Sequence, residues 1–146
     1  MDEQASDEQL AERVCAQGHE NVSGEHESTF EFTSDDFLTP AGDCILGIEA
    51  DRTPADFDPA FVAACQEQGA SIEIAIATEN HETTVQALGH PDLTCESDRS
   101  MVVRTSDHVD DRTVAVAASA AAADIDRELV DALASGAAIT MTLTVE

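Results

Sequence analysis

Polar and apolar residues alternate with a period of two in several short stretches of the chain. In Thr29 to Thr33, Phe30 and Phe32 fall on one face and Thr29, Glu31 and Thr33 on the other. This is the pattern of a half-buried strand, because successive side chains of an extended chain point to opposite faces. Ser100 to Arg104 repeats it with Met101 and Val103. The same period runs through Ile72, Ile74 and Ile76, and through Ile139, Met141, Leu143 and Val145. Glu12 to Gln17 and Thr83 to Leu88 read as further strands, as do Cys44 to Ala50 and Thr113 to Ala118. Glu79 to Glu82 predicts a hairpin turn between its flanking strands.

Two helices interrupt the alternation. Pro59 suits a first helical position, which makes Asp58 the N-cap. Phe57 before that cap and Val62 within the first turns form a hydrophobic staple. Asp126 repeats the cap, with Ile125 and Val130 as the staple. Both helices are expected to stop near a glycine, Gly69 and Gly136. The alanine-rich run Ala115 to Ala123 leaves open an earlier start for the second helix, since alanine is the best helix former.

These elements recur in the same order. Val14, Ala16, Gly18, His19, Glu25 and Asp36 match Val85, Ala87, Gly89, His90, Glu96 and Asp107 at an offset of 71. After a deletion, Asp43, Ala50, Asp56, Asp58 and Val62 match Asp111, Ala118, Asp124, Asp126 and Val130 at an offset of 68. The expectation is one α+β domain over residues 10–146, mostly antiparallel β. It would be built from a duplicated βββαβ unit, residues 12–78 and 83–145, behind an acidic tail at 1–9. Alternating strands give each unit one apolar face that cannot be finished alone. Two units would share one core as a β-sandwich or a closed barrel with two helices at its ends.

Composition changes the picture in one respect. There are 31 acidic residues against six basic ones, all arginine, for a net charge of -25. Such a charge strains a compact state by self-repulsion, and molar salt, with a Debye length of about 3 Å, screens it. The composition suits a halophilic, cytoplasmic archaeal protein. Met1 to Gln9 is acidic and lacks the apolar core of a signal peptide. No apolar run approaches the roughly 20 residues of a membrane span. The four cysteines, Cys15, Cys44, Cys65 and Cys95, form no close pair, which excludes a zinc ribbon. Cys15 and Cys65 lie in apolar patterns and read as small core residues.

Candidate chemistry concentrates in the first half. Gly18-His19-Glu20-Asn21-Val22, His26, Thr29 to Thr33 and Leu38-Thr39-Pro40-Ala41-Gly42-Asp43-Cys44-Ile45 bring together groups that bind ligands, hold metals or move protons. The candidate ligand-binding residues are His19, Asn21, His26, Thr29, Glu31, Thr39, Asp43 and Cys44. A divalent metal would draw on His19, His26, Glu31 and Asp43. In the second half Glu31 becomes Val102, His26 becomes Ser97 and Cys44 becomes Arg112. Structural roles stand beside these: a Gly-His turn, an Asx-turn at Asp43 and a core thiol at Cys44. His81 and His108 sit in expected turns.

The same segments, with Gly89-His90-Pro91-Asp92-Leu93 and Asp126-Arg127-Glu128-Leu129, resemble the archaeal family catalogued as domain of unknown function 371. The resemblance covers nearly the whole chain past Gln9. It implies a small, mostly β archaeal protein and supplies no catalytic residues or activity. The lysine-free acidic surface and alanine-rich second half depart from it in the direction of a halophilic member.

The leading expectation is therefore binding of a small ligand or metal at the first-half patch, with catalysis left open. The alternative is a protein- or RNA-interaction module. Arg99, Arg104 and Arg112 fall near adjacent strands and could contact phosphates. The acidic field and the lack of Tyr and Trp argue against nucleic acid. Phosphate loops, dinucleotide fingerprints and Ser-His-Asp patterns are absent.

Overall fold

The structure is a computed structural model that describes residues 10–146. The segment expected as an acidic tail, 1–9, lies outside the described residues. The elements in chain order are β1 (Leu10–Gln17), β2 (Thr29–Thr33), β3 (Ile45–Gly47), a 3-10 turn (Pro54–Asp56), α1 (Pro59–Cys65) and β4 (Ser71–Ala77). After a hairpin come β5 (Glu82–Leu88), β6 (Ser100–Arg104), β7 (Thr113–Ala115), a second 3-10 turn (Ala122–Asp124), α2 (Arg127–Ala134) and β8 (Ala138–Val145).

The chain is α+β, with two four-stranded sheets in the orders β1-β8-β4-β5 and β3-β2-β6-β7. One hydrophobic cluster takes Val14, Ile72, Ile74, Ile76, Ile139, Met141 and Leu143 from the first sheet and Phe30, Phe32, Met101 and Val103 from the second. Phe57, Phe61, Leu129 and Leu133 join it from α1, α2 and the approaches to them. The expected alternation on β4 and β8 is what fills this core.

The closed-barrel alternative is not realised. The two sheets meet at each edge through a single bridge, Gln17 to Ile48 and Leu88 to Val116. A continuous ladder, which closure requires, is missing because β3 and β7 are only three residues long. They end where Glu49 and Ala117 turn to φ values of 55° and 52°, outside the extended region. Cys44 to Ala50 and Thr113 to Ala118 are thus shorter strands than alternation predicts. Not every pairing is antiparallel: β2 pairs β3 and β6 pairs β7 in parallel.

Both helix caps stand as expected. Asp58 accepts from the Ala60 amide at 2.8 Å and Asp126 from the Glu128 amide at 2.9 Å. The alanine run does not extend α2. Ala115, Ala121 and Ala122 are buried, and Asp124 accepts from the Ala121 amide at 2.9 Å, which closes a 3-10 turn instead. Cys15 is not a core residue. β1 turns Glu12, Val14 and Ala16 inward and Cys15 outward. Glu12, although buried, is satisfied by the Arg52 guanidinium and by the Asp58 amide.

Each half grips the helix of the other. Gly18 donates to the Ala137 carbonyl at 2.7 Å and Gly89 to the Ala70 carbonyl at 2.8 Å. A Cβ on Gly18 would lie 2.1 Å from the Leu133 carbonyl oxygen, and one on Gly89 would lie 2.1 Å from that of Cys65. Only hydrogen fits between these loops and the helix ends. Gly18→Ala and Gly89→Ala are each expected to cost about 3 kcal/mol, the upper part of the overpacking range, because the atom struck is rigid backbone. Denaturant unfolding at fixed salt checks this, and a loss under about 0.5 kcal/mol would contradict the close approach.

Candidate functional site

β2 and β6 are the central strands of their sheet, and their register sets the site. Glu31 pairs with Val102, Thr33 with Ser100 and Thr29 with Arg104. Phe30 and Phe32 face the core, so Thr29, Glu31 and Thr33 face the opposite side. That side is not the wet face the alternation implies: Thr29 and Thr33 are 9% and 2% exposed, and the Glu31 side chain 12%. Flanking loops close over it. The Asp43 carbonyl accepts from the Glu25 and His26 amides, and the Cys44 carbonyl accepts from the Glu31 amide at 2.9 Å.

A cleft of about 310 Å³ remains between these loops, its lining including Glu31, Asp35, Cys44, Arg99, Ser100 and Arg112. Arg99 grips Asp35 in a fork, Nε to Oδ1 at 3.0 Å and Nη2 to Oδ2 at 2.8 Å. That fork holds the Asp35 carboxyl below the usual carboxylate range. The Cys44 thiol donates to Glu31 Oε1 at 3.3 Å. Burial, helped by the Glu31 charge, pushes that thiol up to about 12. Cys44 is therefore a protonated donor at neutral pH, unsuited to act as a nucleophile. The Arg112 guanidinium lies 3.8 Å from Glu31 Oε2 and 3.6 Å from Asp110 Oδ2, too far for hydrogen bonds.

The second half carries a hydrogen-bonded cluster at the corresponding place. Arg104 on β6 occupies the place that Thr33 holds on β2. Its Nε donates to Thr113 Oγ1 and its Nη2 to Asp110 Oδ2, each at 2.9 Å. Asp110 and Thr113 stand where the first half has Gly42 and Ile45. Burial pushes Asp110 up, but bonds from the Thr113 hydroxyl and Arg112 amide, with the Arg104 and Arg112 charges, outweigh it and leave it at about 2.

The expected site residues divide. Glu31 and Cys44 line the cleft, with Thr29 beside them on β2. His19, Asn21, His26, Thr39 and Asp43 do not line it. His19 Nδ1 accepts from the Asn21 amide at 2.9 Å, and Asn21 Nδ2 donates to the Leu38 carbonyl at 2.8 Å. His90 Nδ1 makes the same turn with the Asp92 amide at 3.0 Å. Thr39 is exposed, and its carbonyl accepts from Gly42. His26 Nδ1 accepts from the Ser28 and Thr29 amides at 3.2 Å, and Ser97 Oγ accepts from Arg99 and Ser100 at 3.2 Å. The two side chains differ but cap corresponding loops, one before β2 and one before β6. Among the described residues no three His, Cys, Asp or Glu side chains gather to hold a metal.

The alternative reading of the sequence grouped Arg99, Arg104 and Arg112 as a phosphate-contacting face and did not place Arg112 beside Glu31. The β2–β6 register was the missing signal. Arg104 is 13% exposed and locked to Asp110, and Arg99 is locked to Asp35, so the three arginines do not form a free basic face. Among the described residues no helix is long and apolar enough to cross a membrane.

A family model described as "Domain of unknown function (DUF371)" matches residues 14–146. The uncharacterised protein MJ0206 of Methanocaldococcus jannaschii is 38% identical over 123 residues, covering 84% of this chain and 90% of its own length.

Two outcomes are expected. His26→Ala removes an acceptor for two amides and should cost about 1 kcal/mol, whereas His26→Ser, which copies Ser97, should stay within about 0.5 kcal/mol of the parent. Equal losses in thermal unfolding would count against the cap. Asp110 has a folded pKa below its unfolded one, so its stabilisation is full above the unfolded value and is lost as pH falls through the folded value. After discounting for solvent, the stability gap between the parent and Asp110→Asn should shrink by about 1 kcal/mol from pH 5 to 2. A gap that stays flat over that window would remove Asp110 from the linkage.

Proposed function

The chain belongs to the DUF371 family of domains of unknown function, and we propose that it binds a small molecule in the cleft over β2 and β6. One observation carries this reading. Where the second half packs Arg104, Asp110 and Thr113 into a closed hydrogen-bonded cluster, the first half has Thr33, Gly42 and Ile45 and leaves an opening of about 310 Å³. The volume is at the low end for small-molecule sites. The residues at the opening come from both halves: Glu31, Thr33, Asp35 and Cys44 from one, Arg99, Ser100 and Arg112 from the other.

We also read the fold as a duplicated βββαβ unit. Matched bonds support this: Glu31 to Cys44 and Val102 to Arg112, Ala55 to Ser97 and Ala123 to His26, Gln17 to Ile48 and Leu88 to Val116. On this reading one ancestral site was filled and the other kept open. The acidic, lysine-free composition is an adaptation of an archaeal cytoplasmic protein to high salt.

A thermal-shift screen of metabolites in molar KCl, on the parent and on Glu31→Gln and Arg112→Gln, tests the binding reading. A ligand at one hundred times its Kd stabilises by about 2.7 kcal/mol, which raises Tm by about 5–10 °C at this chain length. Both variants should lose most of that rise. A screen with no shift, or one in which both variants shift like the parent, would sink the proposal.

A further inference from the structure

We infer that the ligand of this cleft is a small zwitterion without net charge, its carboxylate on Arg112 and its ammonium on Glu31. The inference rests on the binding reading above and adds the ligand's class.

Three observations lead to it. The charges around the opening balance, with Glu31 and Asp35 against Arg99 and Arg112. Asp35 and Arg99 are satisfied by one another through their fork. The polarity left over therefore lies in Glu31 and Arg112. Glu31 Oε1 is taken by the Cys44 thiol, while Oε2 receives no hydrogen bond among the described residues. The Arg112 side chain makes none among the described residues either, although it is only 45% exposed. An acceptor oxygen and a planar donor fork thus face one another 3.8 Å apart, close enough to attract and too far to bond.

The ligand that uses both is one whose anion and cation lie on neighbouring carbons. A carboxylate matches the guanidinium fork with two parallel bonds. An ammonium beside it reaches Glu31 Oε2. A simple anion would gain Arg112 but meet the Glu31 charge at short range, inside a protein of net charge -25. A simple cation would meet Arg112 in the same way. A net-neutral zwitterion gains on both sides and is indifferent to the global field. A volume of about 310 Å³ suits a molecule the size of an amino acid.

The test is titration of the isotopically labelled protein with each of the common amino acids in molar KCl, read as amide shifts at Glu31, Ser100 and Arg112. For the best binder, its N-acetyl derivative supplies the carboxylate alone and its amide the ammonium alone. Acetate, inorganic phosphate and methylammonium are run beside them. At least one amino acid should saturate these shifts, with both blocked forms binding at least tenfold more weakly. Glu31→Gln and Arg112→Gln should each weaken the amino acid at least tenfold while the remaining spectrum keeps the parent's pattern. If acetate, phosphate or the N-acetyl form binds as tightly as any amino acid, the cleft is an anion site: the zwitterion inference falls and the binding reading survives. If no probe of any charge class moves the cleft resonances, both fall.

Discussion

Pairing between the two halves of the chain is the constraint on which everything else rests. Of the six strand ladders among the described residues, four join a strand from before the β4–β5 hairpin to one from after it: β1–β8, β4–β8, β4–β5 and β2–β6. Each half presents apolar faces it cannot cover, since alternation gives a strand only one buried side. Burying Phe30 and Phe32 requires Met101 and Val103 beside them. Burying Ile72, Ile74 and Ile76 requires Met141 and Leu143. The helices follow the same logic, since the loop after β1 closes on α2 and the loop after β5 closes on α1.

The cleft is a direct consequence of that pairing. Antiparallel β2–β6 register sets Glu31 against Val102, and the short parallel strands β3 and β7 then flank the pair from both sides. Cys44 arrives beside Glu31 from one edge and Arg112 from the other. Neither half contains the set of side chains that meets there. A carboxylate 12% exposed is tolerable because the Cys44 thiol bonds it and the Arg112 guanidinium lies 3.8 Å away.

Much of this was legible in the chain. The alternation of β4 and β8, the aspartate caps and the hairpin at Glu79 to Glu82 are local signals, and local geometry obeys them. The wet face expected for Thr29 to Thr33 was not, because its cover comes from the loops before and after β2 folding back over the strand. Alternation reports that a strand has two unlike faces; it cannot report that the polar one is roofed. Cys15 misled for a related reason: its apolar neighbours lie on the opposite face of β1, and Glu12 takes the inward place. Of the site, Glu31 and Cys44 were visible as chemistry out of keeping with their second-half matches. Their neighbour Arg112 was not, because only strand pairing brings it across.

Difference between matched positions of the two halves is an unreliable guide until geometry sorts it. His26 against Ser97 looks like a functional change, yet an imidazole nitrogen and a hydroxyl oxygen accept the same pair of amides. Thr33 against Arg104 and Gly42 against Asp110 look like ordinary surface drift in an acidic chain. These are the differences that shape the wall of the cleft over β2. A long arginine anchored to an aspartate and a threonine fills its side of the sheet; a threonine and a glycine leave theirs open. Of the reactive side chains that stand out in the sequence, His19, Asn21 and His26 are occupied in holding turns and loops, while Glu31 and Cys44 stand at the opening.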